Sequence, residues 1–281
     1  MRRLDTVIFP VAGLGTRMLP ATKVTPKELL PVYDTPLLQF AIDEAVAAGA
    51  RRLVFVSHPD KAAIERYVAP APELEAELEA KGKGDLLEAV LATRLPEGVE
   101  ARFVMQNDQK GLGHAVLCAV DEVLDGPVGV ILPDDLILGT PCLGEMAGAF
   151  DPLSMASLVA AQEVPRHKTS SYGIFDCDPG TDRAMAARGF VEKPAPADAP
   201  STLAAVGRYV LAPGIFDHLR GTGRGAGGEI QLTDAIAAMG RIHAFRFSGE
   251  RHDCGDKDGM VRATLAVQDM RSGASLKVAA Q

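Results

Sequence analysis

The chain has 281 residues, 47% of them hydrophobic, and a formal net charge of -8. That length suits one large α/β domain or two small ones, and it buries a sizeable core without disulfides or metals. The acidic balance, with no long Lys/Arg run, excludes a duplex DNA or RNA binder, although a few cations in a cleft still allow an anionic substrate.

Residues 4–9 read as a short buried strand that Pro10 ends, and a glycine-rich loop follows. Residues 37–48 carry apolar side chains at helical spacing, with Gly49 where a C-terminal cap belongs. Residues 51–57 form a second buried strand, and Asp60 is expected to cap a helix through Val68. This β-loop-α-β-α opening predicts a parallel sheet with helices on both faces. Residues 72–95 predict a helical pair broken at Gly82-Lys83-Gly84, either a solvated rim or a subunit contact. Strands are expected at 101–105 and 128–132, with a helix between them starting near Leu112.

After residue 150 the pattern loosens. Strands at 155–162, 172–176, 189–192 and 205–211 alternate with turn-rich segments at 194–200 and 221–228, which predicts a mixed sheet extension covering a pocket. A helix over 231–239, started by Thr233 or Asp234, precedes a strand over 242–247 and a closing helix over 259–271. The last ten residues are expected to fray. Cys118, Cys142, Cys177 and Cys254 make no CxxC pair, which points to free thiols in a reducing cytosol. No signal-like segment opens the chain and no apolar run approaches the ~20 residues of a membrane span, so a soluble cytoplasmic protein is expected.

The first candidate site is the loop Ala12-Gly13-Leu14-Gly15-Thr16-Arg17, directly after the first strand. Glycines there let backbone N–H groups turn toward a phosphate at the C-terminal edge of a sheet. Thr16-Arg17 does not supply the Gly-Lys-Ser/Thr of a P-loop, and Met18 stands at the third glycine of the dinucleotide fingerprint, which demotes a dehydrogenase. Alone, the loop is equally a plain tight turn. Its neighbours decide: Arg17 offers a guanidinium fork and Lys27, fixed between Pro26 and Pro31, a point charge, a pairing that suits a polyphosphate.

The run from Gly13 to Lys23 followed by Pro26-Lys27-Glu28-Leu29-Leu30-Pro31 resembles the signature of bacterial UTP–glucose-1-phosphate uridylyltransferases, a branch of the sugar nucleotidyltransferases. The match covers residues 6 to about 268. It implies a Rossmann-like, mixed but mainly parallel α/β sheet flanked by helices, with a smaller β-rich sugar-binding extension. The expected organisation is one domain over 1–281: a nucleotide-binding half to about 150, a sugar-binding half to about 258, then a C-terminal helix and tail.

Downstream motifs fit this resemblance. Gln106, at a strand end, presents both a donor and an acceptor to a pyrimidine edge, and glycines from Gly111 onward let backbone approach a flat base. In the family this region holds uracil, with the Gln on the base. His114 is either structural or a nucleotide contact. Asp134 and Asp135 end an apolar strand; Asp134 is the first Mg²⁺ ligand expected, and Asp135 a helix cap or a group that orients the ligand. By resemblance, Asp253, two residues before Gly255, is the second metal ligand, while Asp256 is local. Gly173, Glu192 and Lys193 resemble the sugar side, with Glu192 accepting from hydroxyls and Lys193 reaching the sugar phosphate. Val206 and Gly207 resemble the strand that closes over the hexose, and residues 229–234 read as architectural.

The implied chemistry is in-line attack by the phosphate of glucose 1-phosphate on the α-phosphorus of UTP, with pyrophosphate leaving and no protein nucleophile. Arg17, Lys27 and Lys193 are the catalytic cations, assisted by Mg²⁺. The alternatives are a thymidylyltransferase on the same fold and a catalytically weak regulator that binds nucleotide-sugar. A homodimer or homotetramer is expected by resemblance, and neither nucleic acid nor membrane is expected as a partner.

Overall fold

The computed structural model describes residues 4–178 and 180–273, so most of the last ten residues, expected to fray, lie outside it. In chain order the strands are β1 Thr6–Pro10, β2 Pro31–Val32, β3 Thr35–Pro36, β4 Arg52–Ser57, β5 Glu100–Met105, β6 Val128–Ile131 and β7 Asp135–Leu138. They continue with β8 Ser157–Glu163, β9 Gly173–Asp176, β10 Ala184–Ala187, β11 Gly189–Glu192, β12 Leu203–Leu211, β13 Ile242–Arg246 and β14 Glu250–Asp253. The helices are α1 Leu37–Ala47, α2 Ala62–Val68, α3 Pro72–Ala80, α4 Gly84–Leu91 and α5 Leu112–Cys118, then α6 Cys142–Ala149, α7 Ile215–Gly221, α8 Leu232–Met239 and α9 Lys257–Ser272.

The main sheet runs β10-β13-β8-β12-β6-β1-β4-β5, with the antiparallel pair β9–β11 attached through β12. Pairing is parallel across β6, β1, β4 and β5 and between β13 and β8, and antiparallel on both sides of β12. Along this path only β10 and β12 run against the rest, so the sheet is mixed and mainly parallel. Six strands therefore deliver their C-terminal ends to one edge, the place where α/β sheets bind ligands.

The strand sequences explain the layers. In β1, Val7 and Phe9 face one side and Ile8 the other, and all are buried, as expected of a strand covered on both faces. One face packs α1, α2 and α6 through residues such as Leu38, Ile64 and Leu143. The other packs α5, α7 and α8 through Val116, Ile215 and Ile236. Phe9, Phe55 and Phe103 stack across three neighbouring strands at 4.9 and 5.1 Å. A third cluster sets α9 against the β7–β14 pair and takes in Met18, which anchors the glycine loop from below. Between layers, the buried Arg208 guanidinium donates to both Glu44 carboxylate oxygens, at 2.7 and 3.1 Å, and ties α1 to β12.

The long elements match expectation, and Gly49 follows α1 with φ 91°. Local caps do not. Asp60 caps nothing: its N–H donates to His58 Nδ1 at 3.3 Å, and α2 has no capping side chain. Neither Thr233 nor Asp234 starts α8, whose N-cap position is Gln231, with no side-chain capping bond; Thr233 donates to Glu192 instead. Asp135 opens β7 and is no helix cap. Asp256 is local, accepting from Gly259 N–H at 2.7 Å as the cap of α9. The sequence pattern also leaves out α6, whose Gly144 and Gly148 weaken its helical signal, α7, and the short strands β2, β3, β7, β10 and β14. All four cysteines are free thiols. Among the described residues no helix is long and apolar enough to cross a membrane.

Candidate active site

Two lobes of one groove open along the edge where the strands end. The first is a cleft of about 440 Å³ lined by Ala12, Gly13, Arg17, Lys27, Gln106 and Gly111, with Asp134 at its inner end. The second, about 270 Å³, is lined by Gly173, Glu192, Lys193, Val206, Gly207 and Asp253, and again by Asp134. Arg17, Asp134 and Glu229 belong to both lobes, so the junction carries one cation and two carboxylates. Leu14, Gly15 and Thr16 line neither lobe. Leu14 points to solvent, Gly15 turns the chain at φ 64°, and Thr16 begins the short helix that carries Arg17.

Lys27 Nζ donates to Asp134 Oδ2 at 2.6 Å, and Arg17 Nη2 lies 4.0 Å from the same oxygen. Burial opposes both charges, but each partner outweighs it: the Lys27 pKa is held above the ordinary lysine value and that of Asp134 below the ordinary carboxylate value. Both groups are thus ionised at neutral pH. Beneath them the Lys61 ammonium donates to Glu28 at 2.9 Å and to the Val11 carbonyl at 2.7 Å. Lys61 carries no sequence signal and Glu28 only its place between the flanking prolines, yet together they pin the residues flanking Ala12 and Lys27.

Asp253 reaches the junction on β14. Its register partner is Asp135, and Cys254 N–H donates to the Asp134 carbonyl at 2.7 Å, so Asp134 and Asp253 sit on adjoining backbone. Asp253 Oδ1 accepts from Gly255 N–H at 2.9 Å, and its Oδ2 accepts from the Tyr172 hydroxyl at 3.4 Å. Asp135 turns away, accepting from Gly207 N–H at 2.8 Å and from Arg251 Nε at 2.6 Å. Burial pushes its pKa up despite Arg251, and it orients β12 and β14 around the groove. Among the described residues no three or more His, Cys, Asp or Glu cluster as a self-sufficient metal site. Two carboxylates facing a phosphate-sized groove do suit a hard divalent cation such as Mg²⁺, which draws its remaining ligands from phosphate and water.

In the second lobe, Glu192 Oε2 accepts from Thr233 Oγ1 at 2.6 Å, and Lys193 Nζ lies 3.3 Å from Glu192 Oε1. Lys193 is 53% exposed and has φ 45°, a strained conformation for a lysine that its N–H bond to the Tyr172 carbonyl at 3.0 Å helps to hold. Gly207 admits close approach of the chain itself: a Cβ there would stand 2.6 Å from Leu132 Cβ. Likewise a Cβ on Gly111 would stand 2.7 Å from Glu229 Cβ. Residues 229–233 thereby border both lobes, with Glu229 in each lining and Gln231 and Thr233 in the second. Arg251, which stacks over the Tyr172 ring at 5.3 Å, lines the second lobe with no sequence cue.

Known proteins resemble this chain along nearly its whole length. The Nucleotidyl transferase family model matches residues 7–270. A UTP–glucose-1-phosphate uridylyltransferase of Bacillus subtilis is 43% identical over 275 residues, covering 96% of this chain and 93% of its own length. A UTP-bound UGPase structure from Acinetobacter baumannii superposes with a TM-score of 0.86 at 37% identity, covering 98% of this chain and 100% of that one. A UDP-glucose pyrophosphorylase structure complexed with UDP-glucose gives 0.83 at 35% identity, covering 95% and 100%. Family model, relatives and fold agree, and the chain belongs to the nucleotidyl transferase family.

Proposed function

We propose that this protein transfers UMP from UTP to glucose 1-phosphate, releasing pyrophosphate and UDP-glucose. The observation that carries this reading is the pair of lobes meeting at Arg17 and Asp134, one beside the glycine loop and one beside Glu192 and Lys193. Two substrates bound there bring their phosphates together at the junction. The uridylyltransferase names and the UTP and UDP-glucose complexes among the relatives support the choice of substrates.

The attacking phosphate of the sugar is already an anion, so no side chain has to generate a nucleophile. The difficulty is the meeting of two polyanions. Lys27 and Arg17 face the triphosphate side and Lys193 the sugar-phosphate side, offsetting charge as the α-phosphorus is attacked. Holding the two substrates in line supplies up to roughly 7–11 kcal/mol of the remaining barrier. Mg²⁺, held by Asp134 and Asp253, supplies further charge neutralisation when bound. Ala12, Gly13, Gln106 and Gly111 hold the nucleotide, and Gly173, Glu192, Val206 and Gly207 the hexose.

We read the chain as one domain: a nucleotide-binding half to about residue 150, a sugar-binding half to about 258, and a C-terminal helix and tail. It works in the cytoplasm as a homodimer or homotetramer. Pyrophosphate release measured across UTP, dTTP, glucose 1-phosphate and galactose 1-phosphate tests the assignment. Strong release with UTP and glucose 1-phosphate is expected; a preference for dTTP makes it a thymidylyltransferase, and no release with any pair leaves a nucleotide-sugar-binding regulator.

A further inference from the structure

Gln106 is only 4% exposed, and its side-chain amide has two partners within the chain. Nε2 lies 3.3 Å from the Gly111 carbonyl and 2.8 Å from His114 Nδ1. A carbonyl only accepts, so the amide nitrogen, not its oxygen, must face Gly111. The same nitrogen then faces His114, which makes Nδ1 an unprotonated acceptor and places the ring proton on Nε2. Both amide N–H groups are thus engaged. Among the described residues no donor meets Oε1, and Gln106 lines the nucleotide lobe, so the amide offers that lobe an acceptor.

A primary amide that is free to rotate discriminates poorly, because half a turn exchanges its acceptor for a donor. One held in place reads polarity. Uracil carries a ring N–H at N3; cytosine carries a bare acceptor there. We propose that His114 is the specificity-positioning residue of the base site: by holding the Gln106 amide in one orientation it selects a nucleobase with a ring N–H over one with a ring acceptor. This rests on the reading that Gln106 meets the base. Two acceptors face to face leave both without a donor, which separates UTP from CTP by about ten- to hundredfold.

The test is steady-state kinetics with UTP and CTP on four proteins: the natural chain, His114→Phe, His114→Asn and Gln106→Leu. Phe keeps the ring volume and removes the acceptor; Asn restores an acceptor near Nδ1. For His114→Phe the UTP/CTP ratio of kcat/KM should fall about tenfold, with KM for UTP rising and kcat little changed. Asn should recover most of the ratio, an effect that packing alone would not give. A natural ratio in His114→Phe, with the ratio lost in Gln106→Leu, overturns the lock and keeps the base contact. An unchanged ratio and KM in Gln106→Leu overturn the base contact and the lock together. Should His114→Phe fail to fold, failure of Asn to hold the ratio overturns the lock as well.

Discussion

Lys61 and Glu28 form a buried ion pair at 2.9 Å directly beneath the glycine loop, and the same ammonium holds the Val11 carbonyl at 2.7 Å. Burial pushes the Glu28 carboxyl up and the Lys61 ammonium down, each against the pull of its partner. Val11 precedes Ala12, and Glu28 follows Lys27, so one side chain fixes both walls of the nucleotide lobe. Lys61→Met strands the Glu28 charge and should cost roughly 3–5 kcal/mol of stability. Adding Glu28→Met should recover most of the melting temperature but not kcat/KM, because Lys27 and the loop lose their support. Denaturation and turnover of the single and double variants check this; full activity in the double variant refutes the positioning role.

Lys193 is the cation proposed for the sugar side. Its strained φ of 45° and half-exposed ammonium suit a group held ready for a phosphate more than one that stabilises the fold. Lys193→Ala should lower kcat by roughly 10²-fold or more, the scale of one lost transition-state contact, with a melting temperature close to the natural one. Wild-type turnover in the purified variant dismisses the role.

Asp134 and Asp253 are expected to share one Mg²⁺ with the phosphates. Asp134→Ala also frees Lys27, whose only described carboxylate bond is to Asp134, so activity alone is ambiguous. The informative measurement is Mg²⁺ titration of turnover in Asp253→Asn. The half-saturating concentration should rise about tenfold or more; an unchanged metal dependence removes Asp253 from the ligand set.

The proposed lock should make the base site sensitive to acid through His114. Burial, followed by the nearby Lys110 charge, holds its pKa below the ordinary 6.5, against Asp108, which pulls it up. Cys118, one turn along α5, and Gln106 also face the ring. With the folded value lowered, folding favours the neutral ring. The associated stability is complete above pH 6.5 and is lost as pH falls through the lower folded value. Protonation turns Nδ1 into a donor facing the Gln106 donor. KM for UTP should therefore rise as pH drops below that value in the natural protein and stay flat in His114→Asn. Parallel profiles count against the lock.

Much of the candidate site is legible in the sequence because ends of strands mark themselves. An apolar run that stops at proline, glycine or aspartate gives both β1 with its loop and β6 with Asp134. Lys27 was legible from its flanking prolines. Arg251 and Lys61 were not, since each takes its meaning from a carboxylate 116 or 33 residues away. Gly207 illustrates the middle case: sequence marks a place of close approach, but only the fold shows that Leu132 and Asp135 do the approaching. The caps failed for a related reason, as Thr233 forms a tertiary bond to Glu192 in preference to a local one.

Gly259 supports the acidic turn from the far side. It lies in the first turn of α9, and a Cβ there would fall 1.6 Å from the Asp253 carbonyl oxygen, an overlap that no rotamer relieves. Either the helix or the Asp253 turn has to move. Gly259→Ala should destabilise the protein by about 1–3 kcal/mol and raise the Mg²⁺ requirement along with it. Gly148, in the exposed part of α6, is the control, because nothing lies within 4 Å of its added Cβ. There the same change should stabilise by about 0.4–1 kcal/mol, by restricting the unfolded chain, and leave catalysis alone. Thermal unfolding and metal titration of the two variants decide whether α9 holds Asp253 in place. A Gly259→Ala protein as stable and as metal-responsive as the natural one would mean that α9 and the turn adjust independently.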